Sequence, residues 1–381
     1  MRFLQADAIF EGTKFLENES VLAITDKGEI DAILLQADVE PSRIEKLNGC
    51  LMPGFVNAHC HLELSHLKGA VPMHTQLPGF AMSLMKQRGN FSHEKVQEAI
   101  AQADEEMWQN GIVAVGDICN GTDSLSQKSK SSIYYHSFIE LIALNPTVSN
   151  YVFDKGLALL KQFEDAGLAA SFAAHAPYSV SPELAVMIAD YNTKQKLPSS
   201  IHNQESMHEQ NFLWGKNSDF EALYKFLNLD ISFFIPPHRN GLEIMHKALV
   251  AQPRIFVHNT FTSAADCALA ANNATFWCMC PNANLYIENT LPDYSVFPKN
   301  QLCIGTDSLA SNHTLNLCDE ANVILQVSKL EIATLLRALT YDGARALGIE
   351  KQFGRIEKAK QPGLNLVNIN DGKLQFNRKI V

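Results

Sequence analysis

The chain has 381 residues, 46% of them hydrophobic, which suits one large α/β barrel of about 250 residues with an appendage, or two to three ordinary domains, and argues against a disordered chain. The formal charge of −10, with no basic block, argues against nucleic-acid binding as the main role. No charged-then-apolar leader opens the chain and no run approaches the ~18 apolar residues of a membrane span, so neither a signal peptide nor a membrane partner is expected.

Residues 1–50 alternate loosely, as in Ala8-Ile9-Phe10, Val21-Leu22-Ala23-Ile24 and Ile30 to Leu35, with Gly and Asp-Lys-Gly breaks. This is hairpin-like β structure too small to stand alone. Between residues 53 and 345, apolar strand-like runs alternate with helical spacing, which predicts a parallel sheet. The strand candidates are Gly54–Asn57, Ile112–Asp117, Tyr134–Glu140, Ser171–His175, Ser199–His202, Arg254–His258, Ala274–Cys280 and Leu302–Asp307. Helical spacing falls between them at Glu94 to Gln109, Pro182 to Tyr191, Leu242 to Ala251 and Glu331 to Leu347. Eight such units predict a (β/α)₈ TIM-like barrel; an open doubly wound sheet is the alternative, weakened by the lack of a Gly-rich phosphate loop. Past the barrel, Arg355–Glu357, Leu364–Ile369 and Leu374–Phe376 read as strands. The expected organisation is a barrel over residues 53–348, with residues 1–52 and 349–381 joining in a small β-sandwich. The eight cysteines sit in or beside apolar runs and read as reduced core residues of a cytoplasmic protein.

Chemistry in such barrels sits at the C-terminal ends of the strands. Those ends carry, in order, His59 and His61, then His175, His202, His258 and Asp307. Residues two apart on a strand project the same way, so His59 and His61 can aim at one point. Singly, each histidine is more simply read as structural; jointly they read as a metal site, with His59, His61, His202 and Asp307 around one divalent ion. Such an ion lowers the pKa of a bound water. On an ideal strand Glu205 faces away from His202, but the chain should already be turning there, which places Glu205 as general acid/base. His258 is expected to hold the attacking water or the tetrahedral intermediate. His175 fits either a substrate contact or a further ligand. His61-Leu-Glu63 with Cys278-Met-Cys280-Pro281 does not make the zinc site of cytidine-type deaminases, whose Pro-Cys-x-x-Cys is absent from the chain.

These residues resemble the amidohydrolase superfamily, and within it the mononuclear amine deaminases that include the cytosine, guanine, S-adenosylhomocysteine and aminodeoxyfutalosine deaminases and triazine hydrolases. The matching pieces are PGFVNAHCHLELS (53–65), HAPYSVSPEL (175–184), IHNQES (201–206), VHNT (257–260), CPNANL (280–285) and GTDSLASNHTLNLCDE (305–320). LTYDGARALGI (339–349) and GRIEKAKQPGLNLV (354–367) look like the family's last helix and return strands. The resemblance implies zinc or iron(II) on His59, His61, His202 and Asp307. It implies that Glu205 and His258, with Asp307, work on the water, and that His175 lies near the substrate. The fourth strand ends in His175 without the lysine that binuclear members carboxylate, which favours one metal. Two departures stand out: Asn203-Gln204 replaces the usual aliphatic-Ala pair, and residues 76–88 lack a Leu-x-x-Trp pattern.

Residues 76–88, ending in Arg88, look most like the aminodeoxyfutalosine deaminase branch, whose substrate carries a carboxylate suited to a guanidinium. Arg88, Arg239 and Ser308 are therefore candidate substrate contacts beside His175. The implied reaction is hydrolytic deamination of a small heterocyclic amine, of 6-aminodeoxyfutalosine or adenosine type. The alternatives are another C–N or a C–Cl bond on the same fold, or an inactive barrel serving as a binding module. A homodimer is the expected assembly from base rates.

Overall fold

The computed structural model describes residues 1–246 and 253–381. Four strands open the chain: β1 (Arg2–Ile9), β2 (Ser20–Ile24), β3 (Ile30–Leu35) and β4 (Ile44–Pro53). Eight more follow with helices between them: β5 (Phe55–Cys60), β6 (Ile112–Cys119), β7 (Tyr134–Leu141), β8 (Ala169–Ala174), β9 (Ser199–Asn203), β10 (Arg254–His258), β11 (Thr275–Met279) and β12 (Leu302–Ile304). The tail adds β13 (Leu364–Asn370) and β14 (Lys373–Lys379).

The eight central strands pair in parallel as β5-β6-β7-β8 and β9-β10-β11-β12. A parallel bridge between Cys60 and Asp307 joins β5 to the end of β12, and His202 N–H donates to the His175 carbonyl across the other seam at 3.0 Å. The predicted barrel is therefore present. Alternation sorts its side chains into two layers. Val56, Ala58, Phe138, Ala173, Val257 and Cys278 form one cluster, inside the barrel. Phe55, Val115, Ile139, Phe172, Phe256 and Trp277 pack outward with helix residues such as Met107, Phe163 and Ile188.

The two chain ends form one sheet, in the order β14-β13-β4-β1-β2-β3, with β1 and β4 parallel and the other pairs antiparallel. Leu4, Leu22, Ile24, Leu51, Leu364 and Leu366 form its core. Strand β4 went unread in the sequence because its apolar residues do not alternate: Ile44 and Leu47 are three apart and Cys50, Leu51 and Met52 are consecutive. Three local expectations are corrected. Arg355–Glu357 is loop; Arg355 is turned to pair with Glu11, at 3.2 Å. The helix expected from Glu331 to Leu347 is two helices, Ile332–Ala338 and Tyr341–Ala346, because Thr340 leaves helical geometry (φ −130, ψ −87). The helix expected from Leu242 to Ala251 is described over Gly241–Met245, and residues 247–251 of that expectation lie outside the described residues. Among the described residues no helix is long and apolar enough to cross a membrane. All eight cysteines are buried and free.

Candidate active site

Strict alternation along β5 would put His59 on the side of Phe55 and Asn57, facing the helices. The register against β6 corrects this. Asn57 pairs with Val115 and Cys60 with Asp117, so three steps on β5 oppose two on β6. That bulge shifts the phase, packs Cys60 outward and turns His59 and His61 to the barrel mouth. From the far seam the chain comes in close: Thr306 and Asp307 N–H groups donate to the His59 carbonyl at 3.0 and 3.1 Å. Gly305 permits that approach, since a Cβ there would lie 2.8 Å from both the Cβ and the carbonyl of His59. Asp307 itself adopts a left-handed backbone (φ 58), three residues beyond β12.

Around this point the polar side chains converge. His61 Nε2 lies 3.3 Å from His202 Nε2 and 3.4 Å from Asp307 Oδ1; His59 Nε2 lies 3.7 Å from the same oxygen. Ligand atoms of His59, His61 and His202 fall within 4.8 Å of one another, as do those of His59, His258 and Asp307. Two nitrogens each about 2.0–2.1 Å from a tetrahedral ion stand about 3.3 Å apart, so this donor set fits one divalent metal. His59 makes the same point: it is 1% exposed, yet neither ring nitrogen has a hydrogen-bond partner. Burial, with the other imidazoles adding to it, holds His202 well below the usual histidine range and His61 at about 3, so both present neutral rings. Burial alone would raise the Asp307 carboxyl, but His59 and the surrounding imidazoles hold it below the ordinary carboxylate range.

The surroundings hold these groups in place. His202 Nδ1 is 2.8 Å from the His175 carbonyl, which leaves Nε2 directed at the cluster. Ser311 donates to Asp307 Oδ2 at 2.6 Å. Strand β9 stops at Asn203, and Gln204 turns the chain with φ 45. Glu209 then accepts the N–H groups of Gln204 and Glu205, each at 3.1 Å. The turn brings Glu205 Oε1 to 3.6 Å from His258 Nε2, where alternation alone would have pointed it away. Asn203 and Gln204 depart from the usual aliphatic-Ala pair for a local reason. Asn203 donates to Asn259 Oδ1 at 3.0 Å, and Gln204 bonds Thr262 and Asp266, so both amides brace the turn. His258 is also left-handed (φ 72), and its Nδ1 sits 2.9 Å from Asn284 Oδ1. Burial, followed by the charges of Asp307 and Glu288, pushes the Glu205 carboxyl well above its ordinary value. Burial lowers His258.

His61, His202, Glu205, His258 and Asp307 form the floor of a cavity of about 250 Å³, with His59 buried beneath them. His175 and Ser308 line it, as does Arg88 at the end of the helix Gln76–Arg88. His175 Nδ1 is 2.6 Å from Ser179 Oγ. Arg88 is already paired, through Nη2, with the buried Glu63 at 2.9 Å. Arg239 is placed elsewhere: it is solvent-exposed on the loop ahead of Gly241–Met245 and does not line the cavity. The outer wall is apolar, with Phe80, Leu84, Tyr178, Leu223 and Leu227. Sequence reasoning gave no role to Glu140, Asn284 or Glu209. Glu140 closes a predicted strand and Asn284 lies in the CPNANL motif, so their positions were visible. Their direction came only with the fold.

The sequence pattern of the amidohydrolase family matches residues 50–381. An adenosine deaminase of Helicobacter pylori is 28% identical over 348 residues, covering 85% of this chain and 80% of that protein. An aminodeoxyfutalosine deaminase of Nitratiruptor sp. is 26% identical, with 85% and 80% covered. The crystal structure of Helicobacter pylori aminofutalosine deaminase in complex with methylthio-coformycin superimposes with a TM-score of 0.82 at 24% identity, covering 97% of this chain and 93% of that one.

Proposed function

The chain belongs to the amidohydrolase family, and we propose that it is a metal-dependent hydrolytic deaminase that exchanges the exocyclic amine of a purine-nucleoside-like ring for oxygen, releasing ammonia. The observation that carries this reading is the meeting of three histidines and one aspartate beside a buried glutamate on the floor of one cavity. The deaminase relatives support the reaction class. His59, His61, His202 and Asp307 would hold one divalent ion; zinc is the resident metal of the proposal, and iron(II) also suits the donor set. When bound, such an ion acts as a Lewis acid and acidifies water.

The chain's own groups then divide the work. Glu205, whose proton affinity is raised by burial, takes a proton from the attacking water. It passes that proton to the ring nitrogen next to the reacting carbon, and a second one to the departing amine. His258, held at Nδ1 by Asn284, keeps Nε2 free to fix the attacking oxygen and then the tetrahedral centre. His175 and Ser308 contact the ring or its substituent, and the apolar outer wall excludes water. Arg88 is the candidate for a substrate carboxylate, shared with Glu63. Arg239 has no part in the site. Residues 53–348 are the catalytic unit of this proposal, flanked by residues 1–52 and 349–381, and a homodimer is its assembled form.

Ammonia release from adenosine-type nucleosides, aminodeoxyfutalosine, adenine, guanine and cytosine tests the reading, with a chlorinated triazine alongside. Stoichiometric ammonia from a 6-aminopurine nucleoside is expected. Chloride release alone would move the protein to the dehalogenating reaction, and no product from any compound would overturn catalysis of this type.

A further inference from the structure

The motif over residues 305–320 ends in an acid to which the proposed reaction gives no task. Glu320 lies on the helix Leu317–Val327 and is fully buried. A carboxyl in such a place is costly unless its oxygens are bonded. Three N–H groups meet it. Oε2 accepts the backbone N–H of Asn282 at 3.0 Å, and Oε1 accepts Asn282 Nδ2 at 2.9 Å and Asn312 Nδ2 at 2.6 Å. Neither Glu320 nor either asparagine lines the cavity.

Each asparagine leads to a different residue of the site. Asn312 Nδ2 also donates to the carbonyl of Thr306, next to Asp307 in the chain, at 2.9 Å. Asn282 opens the helix Pro281–Glu288, and two residues on, Asn284 holds His258. Its Oδ1 is 2.9 Å from His258 Nδ1, and its Nδ2 donates to the His258 carbonyl at 3.3 Å. His258 closes β10 and Asp307 follows β12, and these strands are not neighbours, because β11 runs between them. Even so, ligand atoms of His258 and Asp307 fall within 4.8 Å of each other. Ser311 and the His59 carbonyl hold Asp307 from its own side of the mouth, away from His258. We propose that Glu320 is a positioning residue: it ties the loop carrying Asp307 to the helix that holds His258, and so sets the gap in which the attacking oxygen is fixed. This rests on the deaminase reading above and adds a residue to that site.

Glu320→Gln keeps the shape of the side chain but turns one acceptor into a donor, so at least one of the three N–H groups loses its bond. The test compares the native protein, Glu320→Gln, Asn284→Ala and the double variant on the best substrate of the panel. Glu320→Gln should lower kcat on the order of 10- to 100-fold, with KM within about threefold of native because the cavity lining is untouched. Added to Asn284→Ala, it should cost at least about fivefold less in kcat than it does alone, since both act through His258. A merely structural role would cost the same in both backgrounds, and that result, or an unchanged kcat, would overturn the proposal. The Asp307 side is read without catalysis: Glu320→Gln should release metal to a chelator at least about threefold faster than native. A lowered kcat with unchanged release would confine Glu320 to the His258 side and overturn the link. Should Glu320→Gln fold poorly, Asn282→Ala, at a half-buried position, is expected to give the smaller kcat loss and the same dependence on Asn284. If the native protein releases no ammonia, the deaminase reading fails separately. Chelator release then decides for Glu320, with faster loss from Glu320→Gln expected and an unchanged rate decisive against it.

Discussion

Replacing Glu205 by glutamine changes one carboxyl oxygen to an amide and leaves shape and volume intact. The side chain is 4% exposed, and its backbone N–H is pinned by Glu209 at 3.1 Å, so the turn should keep its geometry. In the metal-free chain burial favours the neutral carboxyl, which the amide imitates, so the stability of that form should stay within about 1 kcal/mol of the native chain. What is lost is the transferable proton. A positioned general acid/base contributes about 10²–10⁴ in rate, equivalent to about 3–5 kcal/mol of barrier. The expected result of Glu205→Gln is thus a fall of that size in kcat for ammonia release, read by a coupled assay on the best substrate of the panel. Metal content should not change, because the proposed donors are His59, His61, His202 and Asp307. Activity within tenfold of native, at full metal content, would refute the assignment; loss of metal would show that Glu205 is a ligand.

Gly305→Ala forces a Cβ to 2.8 Å from the His59 Cβ and carbonyl, so the β12 end or His59 must move. It should release metal to a chelator at least tenfold faster than the native protein, and an unchanged rate would show the contact to be soft. Glu209→Ala removes both acceptors under the Gln204–Glu205 turn. A fall in kcat on the order of 10- to 100-fold is expected with metal retained, since the turn positions the proton carrier and no ligand beyond His202. Burial raises Glu140 to about 7 from the ordinary 4.5, so between those values the folded, metal-free chain holds more protons than the unfolded one. The stability that Glu140 contributes is therefore fully present below about 4.5 and is lost as pH rises to about 7. The urea midpoint of the native chain should fall relative to that of Glu140→Gln across that range; a difference that does not change with pH would contradict the shift.

The barrel was legible because each of its strands is a short apolar run closed by a polar residue or a turn, and because helical spacing separates them. The resemblance rested on motifs that close those same strands. Three things were not legible. The β5 bulge that turns His59 toward His61 is a register shift against β6, and no pattern within β5 records it. Glu205 reaches His258 through the left-handed Gln204, a conformation its residue type does not announce. Arg88 and Arg239 looked alike as cations near predicted loops, but only the first is carried to the cavity, by its helix, while the second stays in solvent.

The most direct test of the account is elemental analysis of the purified protein beside its His61→Ala and Asp307→Ala variants. One equivalent of a divalent transition metal per chain is predicted for the native protein, falling far below one in both variants together with ammonia release. Full activity without bound metal, or undiminished metal in both variants, would contradict it.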